Sequence, residues 1–184
     1  RETESRLSRL GLSASGLSAV LVTHEHGDHG NGVRVLANRY QLPVYMTAGT
    51  ARARSLTEVE LPFIIDGHTA FYVNDLAVQP VAVPHDAAEP VQFVFNGAGK
   101  KLGVLTDLGA ITPFIREHYG TCDALLLESN HCVDMLARGS YPSSLKLRVG
   151  GRFGHLNNDQ AADLLLDVDK ERLQHLVIAH LSEK

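Results

Sequence analysis

The sequence predicts an α/β protein, and two observations carry that prediction. From Thr69 to Thr106 the apolar residues recur with a strand's period of two, in AFYV, LAVQPVAV, VQFVFNG and KLGVLT, separated by ND, PHDAAEP and GAGK turns. This reads as an antiparallel meander. On either side of it, short apolar strands alternate with segments of helical spacing, the mark of βα units. Together the two patterns indicate layers of helix and sheet without choosing one fold.

The elements follow in order. Leu7, Leu10 and Leu12 suggest a short helix, and SAVLVT (18–23) a buried strand that ends in the polar cluster HEHGDHGNG, a loop leading into a helix. Val33, Leu36, Ala37 and Tyr40 give that helix one apolar face, and Pro43 opens the strand PVYM. A helix over 49–59 and the strand LPFII come next. After the meander the reading is a helix over 111–119, the strand DALLLE (123–128), a helix over 131–138, the stretch PSSLKLRVGGR, a helix over 157–168 and the strand HLVIA (175–179). No repeat, linker or low-complexity segment interrupts this, so residues 1–184 are expected to form a single domain.

Composition bounds the function. With 184 residues, 44% hydrophobic and 21% charged, the chain is an ordinary globular sequence with material for one core. A formal net charge of −4 excludes a uniformly basic polyanion binder but leaves a local basic patch open. No apolar run approaches the roughly 18 residues of a membrane span, and the charged start RETESRLSRL lacks a secretory apolar region, so a cytoplasmic protein is the expectation. Cys122 and Cys132 have neither zinc-ribbon spacing nor disulfide-scaffold density and read as free thiols. The missing initial Met, and an end at Lys184 just behind His180, suggest a fragment.

The chemistry concentrates in THEHGDHGNG. His24, His26, Asp28 and His29 form the pattern H-x-H-x-D-H directly behind a strand. A loop there can turn His24 and His26 to one ion and Asp28 and His29 to another, since imidazole nitrogen and carboxylate oxygen both suit divalent transition metals. A two-ion site needs further ligands, and other strand ends offer them: His85 after VQPVAVP, Asp107 after KLGVLT and His180 after HLVIA.

These motifs, T-H-E-H-G-D-H, V-P-H-D-A-A-E-P, L-T-D-L-G, L-L-L-E-S-N-H, G-H-L-N-N and A-H-L-S-E-K, spread over nearly the whole chain. The sequence resembles the metallo-β-lactamase fold superfamily, and within it the YycJ/WalJ-type branch, related to metal-dependent nucleases and phosphodiesterases. The resemblance implies an αββα sandwich with a two-metal site holding Zn²⁺ or Mn²⁺. It implies His24, His26 and His85 on one ion, Asp28, His29 and His180 on the other, and Asp107 bridging. The resemblance also implies an N-terminal β-hairpin and a C-terminal tail, both expected to be missing from residues 1–184, and more often Asp where Cys132 stands.

Several roles extend that reading. His26 stands where flavodiiron oxidoreductases place a carboxylate, which disfavours redox iron chemistry. Glu128 and His155 are similar to the Glu and His pair of ribonuclease Z-type enzymes, in which the His protonates a departing ribose oxygen. With Asp28 they make up the expected catalytic residues. His155 also reads as a helix cap with Asn157 and Asn158, and His131 as structural or functional alike. Asp86 is placed to orient a ligand imidazole.

The run 138–152 holds Arg138, Lys146, Arg148 and Arg152 and no acidic residue. It reads either as a solvated helix face or as a phosphate track, with Lys146, Arg148 and Ser182 as substrate contacts. His68, His118 and His175 read as structural. The function expected is two-metal hydrolysis of phosphodiesters, most of all 5′ to 3′ exonuclease action with DNA rather than RNA as partner. The alternatives are a carbonyl-directed metallohydrolase, such as a thioesterase, lactonase or lactamase, and a non-catalytic metal-binding regulator. Oligomeric state stays open.

Overall fold

The computed structural model describes residues 2–182, which divide into two compact units, one holding the described residues up to 66 with 87–89, the other residues 67–86 and those from 90 onward. Glu183 and Lys184 of the last motif lie outside the described residues.

The first unit contains α1 (Glu2–Arg9), β1 (Val20–Leu21), α2 (Gly27–Gly30), α3 (Val33–Tyr40), β2 (Val44–Thr47), α4 (Ala48–Ala51) and β3 (Pro62–Ile65). Its three strands run parallel in the order β1-β2-β3, with Val20 opposite Val44 and Val44 opposite Pro62. Val44 and Met46 are fully buried against Val33 and Ala37 of α3, so the 3.6-residue spacing read from the sequence is what packs this core. Gln41 ends α3 in the left-handed conformation at φ 54° and returns its N–H to the Ala37 carbonyl.

Two elements here are shorter than the sequence suggests. The strand expected over 18–23 pairs only at Val20–Leu21, because the chain must leave the ladder to present the histidine loop. The helix expected over 49–59 stops at Ala51 and continues as turns, although Leu56 and Val59 still enter the core. Apolar spacing marked what is buried without distinguishing helix from turn.

The second unit contains β4 (Phe71–Val73), β5 (Leu76–Ala82), β6 (Val91–Gly97), β7 (Lys100–Leu105), α5 (Pro113–Tyr119), β8 (Ala124–Glu128), α6 (Val133–Arg138), α7 (Ser143–Val149), α8 (Asn158–Asp167) and β9 (His175–Ala179). Its six-stranded sheet has the order β4-β5-β6-β7-β8-β9, antiparallel through β7 and parallel from β7 to β9. The meander and the βα units are thus halves of one sheet. Its core joins Val81, Val94, Leu105, Leu125 and Leu127 of the strands to Ile115 and Tyr119 of α5 and Ala161 and Leu164 of α8. Gly103 is required for this packing, since a Cβ there would stand 2.7 Å from the Tyr119 ring. Tyr119 is fully buried and its hydroxyl donates to the Val104 carbonyl at 2.8 Å.

The stretch PSSLKLRVGGR contains α7, and neither α6 nor α7 buries any residue. The cap of α8 is Asn157, in a capping box with Gln160, so His155 is not the capping group.

Candidate metal centre

The parallel register of the second unit explains where its polar residues go. Leu105 is opposite Leu127, Leu127 opposite Ile178, and Glu128 opposite Ala179, so β7, β8 and β9 end together at one edge of the sheet. Asp107, Glu128 and His180 follow or close these strands and are therefore delivered to one place. One ligand atom each from Asp107, Glu128, His155 and His180 lies within 4.8 Å of the others.

Glu128 is the hub. It is fully buried, and Oε1 accepts the Leu156 amide at 2.7 Å while Oε2 accepts the Asp107 amide. Oε1 also lies 3.3 Å from His155 Nδ1 and Oε2 3.1 Å from His180 Nδ1. Burial pushes the Glu128 carboxyl up, but the hydrogen bonds from His155 and then His180 outweigh it and hold the group below its ordinary value. An ionised carboxylate only accepts, so His180 Nδ1 carries its proton towards Glu128 and, in the neutral ring, His180 Nε2 is left as a lone-pair donor.

His180 Nε2 stands 3.4 Å from Asp107 Oδ1. When the ring is neutral, this nitrogen and the carboxylate oxygen are both acceptors, a pair of atoms of the kind that can hold a cation. Asp107 and His180 both adopt left-handed backbone conformations, φ 54° and 55°, which non-glycine residues seldom take. The Asp107 amide bond to Glu128 secures the first. Asn130 secures the second, donating from Nδ2 to the His180 carbonyl at 2.9 Å while its own carbonyl accepts the Ser182 amide at 2.8 Å.

His85 is buried at the end of the same unit's β5 extension, and its Nδ1 donates to the Gly154 carbonyl at 3.1 Å. That bond again turns Nε2 outward. Burial lowers the His85 pKa, against the Gly154 bond and Asp107, and so favours the neutral ring that a metal requires. Asp86 lies 3.5 Å from His85 Nε2 through one oxygen, and its other oxygen accepts from Arg148 Nε at 2.5 Å.

In the first unit, β1 leads into Thr23 and the histidine loop. Thr23 Oγ1 lies 3.0 Å from His24 Nδ1 and 3.4 Å from His29 Nδ1, one hydroxyl fixing two rings. The His24 ring centroid stands 4.6 Å from that of His26 and 4.2 Å from that of His29. His29 Nε2 is 3.5 Å from Asp28 Oδ2. Burial would raise the Asp28 carboxyl, but its own backbone amide and the imidazoles of His29, His24 and His26 hold it below its ordinary value. The loop is thus a compact set of nitrogen and oxygen donors.

The remaining sequence candidates have internal partners. His131 is buried, its pKa lowered by burial, with Nδ1 3.3 Å from Asn130 Oδ1. Lys146 Nζ donates to the Ala137 carbonyl at 2.7 Å, and Arg148 is engaged with Asp86. Ser182 meets the site through its backbone. Thr23, Asn130 and the Gly154 carbonyl drew no role from the sequence. Thr23 and Asn130 lie inside the quoted motifs, so adjacency to ligands was the available signal.

Fold and donor set define a metal-dependent hydrolase of the metallo-β-lactamase fold. The chain belongs to the beta-lactamase superfamily, whose domain model matches residues 2–178. It is 36% identical over 186 residues to exodeoxyribonuclease YycJ of Bacillus anthracis, an alignment covering 99% of this chain and 70% of that protein. It is 30% identical over 190 residues to exodeoxyribonuclease WalJ of Streptococcus pneumoniae, covering 100% of this chain and 71% of that protein. Among solved structures, zinc-bound PqqB from Methylobacterium extorquens superposes with a TM-score of 0.71 at 21% identity. That match covers 91% of this chain and 64% of PqqB, and is a likeness of fold alone.

Proposed function

We propose that this chain belongs to a divalent-metal-dependent phosphodiesterase that degrades DNA from an end. The observation that carries the reading is the Glu128–His155 pair, 3.3 Å apart inside the second unit. A carbonyl-directed hydrolase expels a leaving group that the metal alone can assist, whereas expulsion of a nucleotide oxygen gains from a proton donor. Glu128 lies against the His155 ring, where the imidazole can serve as that donor. The names of the YycJ and WalJ relatives support DNA as the substrate.

In this reading His24, His26 and His85 would hold one ion and Asp28, His29 and His180 a second, with Asp107 serving both. Support comes from within each unit: the Thr23-anchored imidazoles of the first, and the outward Nε2 atoms of His85 and His180 beside Asp107 in the second. Ions bound there would supply Lewis acidity and an acidified water at neutral pH. Zn²⁺ and Mn²⁺ both match the nitrogen and carboxylate donors. Lys146, Arg148 and the Ser182 region would hold the backbone of the substrate.

A panel of end-labelled DNA and RNA, bis-p-nitrophenyl phosphate and a thioester, run with metal analysis, tests the reading. Shortening of DNA from its 5′ end, dependent on added Zn²⁺ or Mn²⁺, is the expected result. Thioester turnover with neither nucleic acid nor bis-p-nitrophenyl phosphate cleaved would overturn it.

A further inference from the structure

Between Glu128 and His155 the chain makes an excursion that the core does not need. α6 and α7 bury none of their residues, and the segment exposes Val133, Met135, Leu147 at 77% and Phe153 at 56%. Leaving four large apolar side chains of one short segment in water forgoes their burial, which points to another use for the segment.

Charge narrows what that use is. Residues 132–153 hold Arg138, Lys146, Arg148 and Arg152 against the single acid Asp134, in a chain of net −4. Cations interleaved with apolar and aromatic side chains match a strand whose phosphates and unstacked bases are both accessible. A duplex offers its phosphates but hides the base faces, and would leave the apolar residues without a partner.

The aromatic is held in place. His155 N–H donates to the Val149 carbonyl and Gly154 N–H to the Gly151 carbonyl, both at 2.9 Å. The turn is so tight that a Cβ on Gly154 would stand 2.2 Å from the Arg148 and Val149 carbonyl oxygens. The Gly154 carbonyl meanwhile grips His85. Phe153 is therefore presented to solvent from a rigid turn, one residue from Gly154 and two from His155, with the Arg152 guanidinium carbon 6.0 Å from its ring centroid.

We infer that the 132–153 excursion is a seat for an unpaired nucleic-acid strand, with Phe153 as the platform on which a base stacks beside the reacting phosphate. This rests on the nucleic-acid reading above and adds the strand state of the substrate to it. The test is fluorescence anisotropy with labelled oligothymidylate, in chelator so that nothing is cleaved, for the wild-type chain, Phe153→Ala and Phe153→Tyr. Loss of one stacked base should weaken binding by about tenfold in Phe153→Ala, with Phe153→Tyr close to wild type. On an oligonucleotide of abasic residues the three proteins should bind alike.

Wild-type affinity in Phe153→Ala, or an equal loss on the abasic strand, would overturn the platform. Equal binding of blunt duplex and single strand by the wild-type chain would overturn the strand preference. Bis-p-nitrophenyl phosphate hydrolysis by the metal-loaded wild type separates the two proposals. Without that hydrolysis and without cleavage of nucleic acid the phosphodiesterase reading fails, while a base-dependent effect of Phe153 would still establish the seat.

Discussion

Asn130 Nδ2 donates to the carbonyl of His180, 50 residues away in sequence, at 2.9 Å. The bond holds His180 at φ 55°, and with it the imidazole whose Nδ1 meets Glu128. Asn130→Ala removes this bond and the contact to His131 Nδ1. We predict a loss of about 1–2 kcal/mol in denaturant unfolding, with the midpoint lowered and the slope unchanged. Metal affinity should fall with it, measured by competition with a chromogenic chelator. A variant that loses stability but binds metal as before would show that Asn130 serves the fold and not His180.

His155 is predicted to act on the leaving group. His155→Ala should lower turnover of a nucleotide substrate by about 10² or more, and spare p-nitrophenyl esters, whose leaving group needs no proton. Its metal content should be that of wild type. Because His155 stands with Asp107, Glu128 and His180 in one group of ligating atoms, the opposite outcome has a definite meaning. Equal losses on both substrates, together with lost metal, would make His155 a ligand.

Asp123 gives the second unit a pH-dependent tie. Its carboxylate accepts the Lys101 amide at 2.7 Å and meets Arg172 Nη2 at 3.4 Å, joining β7, β8 and the approach to β9. The Lys101 amide, opposed by burial and aided by Arg172, holds the carboxyl below its ordinary value. A lowered folded-state pKa means stability that is complete above the unfolded value of about 3.9 and is lost as pH falls through the folded value. Asp123→Asn should therefore melt below wild type at pH 7, and the gap should close on acidification below about pH 4. A gap constant from pH 7 to pH 3 would remove the ionic tie from the account.

How much of this was legible in the sequence follows from what each signal encodes. The period-two runs from Thr69 to Thr106 gave the four meander strands, because a half-buried ladder repeats every two residues. The histidine loop was legible because ligand types crowd six positions, and Asp107, Glu128 and His180 because each marks the end of an apolar run. The pairing of Arg148 with Asp86 spans 62 residues and left no local trace. Nor did the backbone groups that orient the rings, such as the Gly154 carbonyl, since any residue supplies a carbonyl.

That pairing shapes the last prediction, which concerns the basic run. Arg148 is half committed to Asp86, and Lys146 caps the C-terminal end of α6 through the Ala137 carbonyl, yet the Arg148 side chain remains 60% exposed. A net charge of −4 repels a polyanion at long range, so binding must come from local cations that displace counterions as they meet phosphates. If Lys146 and Arg148 each make one phosphate contact, the double alanine variant should weaken DNA binding for all sequences alike. The slope of log affinity against log salt should flatten by up to about 2. Of the two single variants, Arg148→Ala should have the larger effect, because it also leaves the Asp86 carboxylate beside the incoming phosphate without the Arg148 counter-charge, and Asp86→Asn in that background should restore part of the affinity. If the double variant matches wild type at every salt concentration, both residues serve only the Asp86 and Ala137 contacts, and the phosphate track lies elsewhere.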